Sequence, residues 1–159
     1  MDTKNLKLSC LIERGGVHHN LTGKNPQKII ECLIGRLSAF PGFDTAALLK
    51  AAIEREALMS TGIGKGIALP HPRTPLLGES DMPFFALGFI PEPVEWNTPD
   101  GSKVHSVFLI VSSSAKQHLS TLSKINFLCQ QEKFYSLIKA QASKEEIIRA
   151  ILEAEAAWV

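Results

Sequence analysis

Residues 60–72 read Ser60-Thr61-Gly62-Ile63-Gly64-Lys65-Gly66-Ile67-Ala68-Leu69-Pro70-His71-Pro72, and the fold class turns on whether these glycines open a helix or a strand. Pro70 argues for the strand. Proline inside a helix lacks the N–H donor and collides with the preceding turn, so Ile67-Ala68-Leu69 reads as a short apolar strand entered from a glycine-rich loop. A dinucleotide fingerprint needs G-x-G-x-x-G at the mouth of a helix and is disfavoured for the same reason. A phosphate-binding P-loop needs Gly-Lys followed by Ser or Thr, and neither Gly23-Lys24-Asn25 nor Gly64-Lys65-Gly66 supplies it. No G-x-S-x-G elbow or H-E-x-x-H pair anchors a serine hydrolase or a zincin.

Upstream of this stretch the pattern is helical. Asn25-Pro26 is a helix start, with Asn25 as N-cap and Pro26 at the first helical position. Ile29, Ile30, Leu33, Ile34 and Leu37 then recur at helical spacing, and Pro41-Gly42 is the expected stop. A second helix is predicted from Asp44, burying Ala47, Leu48, Ala51 and Leu58 and leaving Lys50, Glu54, Arg55 and Glu56 on the polar side, with Arg55 in its last turn. Downstream, Phe84 to Ile90 and Val107 to Val111 have the length and composition of buried strands, and Pro91 to Gly101 between them is a loop or hairpin. The tail is helical again. Gln117 to Cys129 places Leu119, Leu122, Ile125 and Cys129 on one face, and Ser143 with Glu146 forms a capping box ahead of Ile147, Ile148, Ile151 and Leu152. Helices around a central set of strands predict an α/β single-domain sandwich over residues 1–159, a mixed β-sheet flanked by helices on both faces. No internal repeat, low-complexity segment or linker divides it.

Composition bounds the function. Seventeen basic against sixteen acidic residues leave a net charge of +1 without a long run of either sign, which disfavours a nucleic-acid or membrane-surface partner. Cys10, Cys32 and Cys129 are odd in number and widely spaced, arguing against a disulfide framework and a cysteine zinc site. Met1 to Gly16 is interrupted by Asp2, Lys4, Lys7, Glu13 and Arg14, so it lacks the apolar core of a secretory signal. With no run of transmembrane length elsewhere, the expected compartment is the cytoplasm.

The chemistry is expected at His71. Pro70 and Pro72 restrict the backbone on both sides, so the imidazole sits on a stiff extended corner beside alternate glycines whose amides can turn toward an anion. Neutral imidazole is a competent nucleophile, and phosphoryl transfer asks chiefly for alignment and positive charge around the equatorial oxygens. No metal or cofactor is required. From pattern alone, a glycine-rich turn followed by a buried strand and a surface histidine fits equally well.

The resemblance is carried by Glu54-Arg55-Glu56, by residues 60–71, by Val17-His18, by Asp100-Gly101, and by His118-Leu119-Ser120-Thr121-Leu122. Together these resemble the fructose/mannitol and nitrogen-regulatory branch of phosphotransferase-system enzyme IIA domains over roughly residues 10 to 155. The resemblance implies that His71 is the phosphorylated residue, usually through Nε2. It further implies that His118 is a second active-site histidine and that Arg55 helps to neutralise the phosphate. Phosphate contacts from Ser60 and Thr61 and from the loop of Gly62, Gly64 and Gly66 are expected as well. A helix start favours an anion near His118, although a polar residue there is also ordinary solvated surface, as is a cation such as Arg55 at a helix end. The implied cycle accepts a phosphoryl group from the histidine phosphocarrier protein and passes it to an enzyme IIB domain or a regulatory target protein. Without a fused IIB or membrane domain in the chain, a nitrogen-type regulatory role is the expectation. A sugar-specific transport component and a binding module that has lost phosphotransfer are the alternatives. Lys65 stands where Asn or Asp is frequent, and Pro72-Arg73 where Gly-Lys is common.

Overall fold

The computed structural model describes residues 7–37, 43–77 and 82–158. Its elements run α1 (Leu8–Gly15), β1 (Val17–His18), α2 (Pro26–Gly35), α3 (Thr45–Leu58), β2 (Gly62–Gly64), β3 (Ile67–Ala68), β4 (Phe84–Val94), β5 (Val104–Val111), α4 (Ala115–Gln130), α5 (Glu132–Lys139) and α6 (Lys144–Ala156). The strands form one mixed sheet in the order β1-β4-β5-β3-β2. β1 lies parallel to β4 and β3 parallel to β5, while the β4–β5 and β2–β3 pairs are antiparallel.

Side-chain alternation makes this sheet the middle of a sandwich. Phe84, Ala86 and Ile90 of β4 and Val107, Leu109 and Val111 of β5 face one core, with Leu48 and Ala52 of α3 and Ile29, Ile30, Leu33 and Ile34 of α2. The intervening Phe85, Leu87, Phe89, Phe108 and Ile110 face the other core, covered by α1, α4, α5 and α6. Strands buried on both faces read as continuous apolar runs, and that is how residues 84–90 and 107–111 read in sequence. The α/β sandwich expected from the sequence is therefore the observed architecture.

The N-caps form: Asn25 accepts the Lys28 amide, Asp44 that of Ala47 and Ser143 that of Glu146, the last being the serine half of the expected capping box. α1 has no such cap. Its first amides, on Leu8 and Ser9, instead donate to the Glu155 carboxylate at 2.7 and 3.1 Å, so a side chain from α6 satisfies the helix start across the chain's ends.

Several expectations change. α3 buries Leu48, Ala52 and Glu56 rather than Ala47, Ala51 and Leu58, and Leu58 is 64% exposed. On α4 the buried row is Gln117, Thr121, Ile125, Leu128 and Cys129, leaving Leu119 exposed, and on α6 Ile147 and Ile151 are buried while Leu152 is exposed. β4 continues through Pro91 and Pro93 to Val94, in what reads as loop; those prolines lie beyond its pairing with β1, where a missing N–H breaks no ladder bond. The glycine-rich loop itself is a hairpin. Lys65 and Gly66 at its tip have φ of 57° and 77°, the sign that a two-residue type I′ turn requires at both central positions. A lysine in that region is strained relative to Asn, but here Lys65 places its Nζ 5.3 Å from the Tyr135 ring centroid, and its carbonyl accepts the Tyr135 hydroxyl at 3.0 Å. The stop expected at Pro41-Gly42 lies outside the described residues; α2 ends at Gly35.

α1 meets β4 closely at Gly15, where an added Cβ would stand 1.9 Å from the Phe85 carbonyl oxygen. Gly15→Ala is accordingly expected to push α1 off β4 and to lower stability by about 3 kcal/mol, seen as a reduced urea midpoint with an unchanged slope.

Candidate functional site

His71 follows β3 and is held from both sides of the sheet edge. The Pro70 carbonyl accepts the Ile110 amide at 3.0 Å, and the Leu69 amide donates to the Thr61 carbonyl at 3.0 Å. The ring Nδ1 lies 2.7 Å from the Leu69 carbonyl oxygen. A carbonyl only accepts, so this contact assigns the proton to Nδ1 and leaves the lone pair of the neutral ring on Nε2.

His118 stands in the first turn of α4, which Ser114 caps by accepting the Gln117 amide at 3.0 Å. Its ring packs against His71 with centroids 4.6 Å apart and planes inclined by 45°, and its Nδ1 is 3.4 Å from the Ser112 hydroxyl. Burial lowers the pKa of both rings. For His118 the neighbouring His71 and Arg55 lower it further, to about 4. For His71 the Leu69 bond and the Glu56 carboxylate partly oppose burial and Arg55, and the net shift is still downward. Both imidazoles are thus neutral at physiological pH.

A cleft of about 220 Å³ opens at His71, walled by Arg55, Ser60, Thr61, Gly62, Ile63 and Asn126 among others. Arg55 reaches it from the last turn of α3, with Nη1 donating to the Met59 carbonyl at 2.7 Å. The structure thereby brings His71, Arg55, Ser60, Thr61 and Gly62 to one cleft, with His118 against His71 on the side facing a second cavity of about 200 Å³ that Arg73, Ser112 and Leu119 help to line. It does not bring Gly64 or Gly66 to the cleft wall. Their place is the hairpin tip: the Gly66 amide donates to Ser102 Oγ at 3.0 Å and the Lys65 amide to Asp100 at 2.9 Å. Nearer the cleft, the Thr61 amide donates to Glu56 and the Gly62 amide to Ser60 Oγ. The glycines shape the turn, since a Cβ on Gly66 would meet the His105 ring at 2.3 Å.

Sequence reasoning passed over Glu56, Asp100 as a turn clamp, and Asn126. The Lys65 amide and the Ser102 hydroxyl and amide hold the exposed Asp100 carboxyl well below the usual carboxylate range. Asn126 had a signal available, because residues 118, 122 and 126 recur every fourth position and so share one helix face. His105 bonds Ser106 Oγ, and His18 bonds the Gly15 carbonyl; both lie outside the cleft. Among the described residues no group of His, Cys, Asp and Glu could hold a metal ion, and no helix is long and apolar enough to cross a membrane.

The family model for the phosphoenolpyruvate-dependent sugar phosphotransferase system, EIIA 2, matches residues 11–154. The chain belongs to this family. It is 30% identical over 149 residues to a mannitol-specific phosphotransferase enzyme IIA component of Staphylococcus aureus, covering 94% of this chain and all of that one. It is 24% identical to a nitrogen regulatory protein of Pseudomonas aeruginosa, over 94% and 97% of the two chains. A fructose-specific EIIABC component of Bacillus subtilis is 28% identical over 92% of this chain, which spans only 23% of that longer protein. Among solved structures, the nitrogen regulatory protein IIA-Ntr of Neisseria meningitidis superposes with a TM-score of 0.74 at 25% identity, over 87% of this chain and 94% of that one. A complex of Escherichia coli enzyme IIA-Mtl with phosphorylated enzyme IIB-Mtl shares the fold, with a TM-score of 0.65 at 18% identity over 87% and 95%.

For this EIIA 2 chain the neutral histidine pair has a thermodynamic signature. The unfolded chain takes up protons near pH 6.5, whereas folded His118 does so only near 4. The contribution of the pair to stability is therefore complete above the unfolded value and is lost as pH falls toward the folded one. Urea titrations between pH 6.5 and 4 are expected to show a shallower acid loss in His118→Gln than in wild type, and ring NMR is expected to place the His118 midpoint near 4 with that of His71 also below the ordinary histidine value.

Proposed function

We propose that this chain is a phosphocarrier that accepts a phosphoryl group on His71 Nε2 and passes it to a second protein. The observation that carries the reading is the 2.7 Å bond from His71 Nδ1 to the Leu69 carbonyl, which leaves Nε2 unprotonated beside a neutral second imidazole. In the transfer step a P–N bond forms at Nε2 as the donor's own P–N bond breaks, so no water enters and no metal is called for. The positive charge that grows on the His71 ring is stabilised by the same carbonyl, and the Nδ1 proton stays in that bond throughout.

Arg55 supplies a fixed guanidinium at the cleft for the phosphoryl oxygens. His118, kept neutral by burial, offers an N–H rather than a second cation. That suits a carrier: a neutral donor orients the phosphoryl group without binding the dianion so strongly that onward transfer slows. Ser60 and Thr61 already make tight bonds within the protein, Ser60 Oγ to the Trp96 carbonyl at 2.5 Å and Thr61 Oγ1 to Glu56 at 2.5 Å. Their contribution is to hold the cleft wall.

Family membership supports the histidine phosphocarrier protein as donor, acting in the cytoplasm. The IIA–IIB complex of the mannitol system, built on the same fold, supports a IIB-type acceptor. The nitrogen-regulatory relatives support a regulatory target instead, whose docking surface would change when a dianion appears at His71. Either way the carrier chemistry is the same.

Incubation with phosphoenolpyruvate and the two general phosphotransferase proteins is expected to add one acid-labile phosphoryl group by intact mass. His71→Ala should gain none, and label that persists in it would move the site. His118→Ala is expected to fold and to accept phosphoryl roughly 100-fold more slowly, the loss typical of one preorganised donor; a wild-type rate would remove His118 from the chemistry.

A further inference from the structure

Four residues form an unbroken hydrogen-bonded chain beneath the nucleophile. Glu56, near the end of α3, is 9% exposed, and each of its carboxylate oxygens takes one bond from Thr61: Oε2 from the backbone amide at 2.7 Å and Oε1 from the hydroxyl at 2.5 Å. The Thr61 carbonyl accepts the Leu69 amide at 3.0 Å. The Leu69 carbonyl in turn accepts His71 Nδ1 at 2.7 Å.

We infer that Glu56 is a positioning residue for His71, setting through Thr61 and Leu69 the carbonyl that fixes which ring nitrogen carries the proton. This rests on the phosphocarrier reading for its consequence, though not for its geometry. Burying a carboxylate costs several kcal/mol unless its oxygens are satisfied, and these oxygens are satisfied by a single residue of the cleft wall. Thr61 is thereby held at both its amide and its side chain, immediately beside the carbonyl that meets Leu69. Successive helix residues point about 100° apart, so α3 delivers Arg55 to the cleft and Glu56 beneath it. One rigid helix end then sets both the charge that meets the phosphoryl group and the register of the strand that carries the nucleophile. The Glu56 carboxylate also opposes the effect of Arg55 on the His71 ring, in keeping with a site where the two act as a pair.

The test is the ring tautomer, which a carboxylate that merely stabilised the loop would leave alone. In the unphosphorylated full chain, long-range proton–nitrogen NMR of the histidine rings at neutral pH is expected to show wild-type His71 as the Nδ1–H tautomer. Glu56→Ala should give a mixture of tautomers and accept phosphoryl from the phosphorylated histidine phosphocarrier protein between roughly 10- and 100-fold more slowly, with its dependence on donor concentration little changed. Glu56→Gln should resemble wild type in both respects. Its amide oxygen can accept the Thr61 N–H while its NH2 donates to Thr61 Oγ1, with the hydroxyl reversed. Thr61→Val, losing the hydroxyl contact alone, is expected to show a smaller redistribution of the same kind. A single Nδ1–H tautomer with a wild-type rate in Glu56→Ala overturns the proposal, as does the same result in Thr61→Val should Glu56→Ala fail to fold. If wild type itself accepts no phosphoryl group, the phosphocarrier reading fails, and the tautomer comparison still decides the role of Glu56.

Discussion

The bond from His71 Nδ1 to the Leu69 carbonyl is the constraint on which the rest of the site depends. A free imidazole exchanges its proton between two nitrogens and rotates about two torsions. Here one nitrogen is committed to a carbonyl only two residues back along the chain. Pro70 lies between them, with its ring fixing φ, and its own carbonyl is taken by Ile110 of β5. His71 is thereby tied to the central strands of the sheet, and in the proposed transfer a phosphoryl donor would meet one ring face and one nitrogen.

The architecture explains why so small a cleft is enough. β4 and β5 are buried on both faces and hold the two cores in register, while the short strands β3 and β2 extend the sheet on the β5 side, at its edge. His71, Arg55 and His118 collect there, from the end of β3, the last turn of α3 and the first turn of α4. Burial does the electrostatic work. It keeps both histidines neutral, so Arg55 supplies the fixed positive charge of the cleft, an arrangement suited to the proposed carrier, whose dianion must both arrive and leave.

How much of this was legible in the sequence depended on whether the signal was local. Helix starts were, because Asn25, Asp44 and Ser143 each cap by reaching an amide three residues on. The long apolar runs of β4 and β5 were equally plain, since strands covered on both faces need apolar residues at every position. The short strand β2 was not: two of its three residues are glycines, which carry no side-chain period, and it is recognised only by its pairing with β3. α1 escaped for a related reason, being eight residues long and capped by Glu155 from the far end of the sequence. The inward faces of α3 and α4 were misjudged wherever polar residues turn in: Glu56 and Gln117 are buried while Leu58 and Leu119 are exposed. The hydrophobic pattern is a poor guide there, because Glu56 turns in to bond Thr61 and Gln117 to bond Thr121 of its own helix. The residues proposed for the site stand together as a motif in the sequence. What the motif did not contain was the division of labour in the loop, where several amides hold the hairpin and the cleft wall in shape.

The position of the phosphoryl group on the ring tests the central claim most directly. In the phosphorylated, nitrogen-15-labelled protein, one-bond phosphorus–nitrogen coupling is expected at Nε2 of His71, with Nδ1 still protonated toward the Leu69 carbonyl. Coupling at Nδ1 of His71, or at any other histidine, would contradict the account.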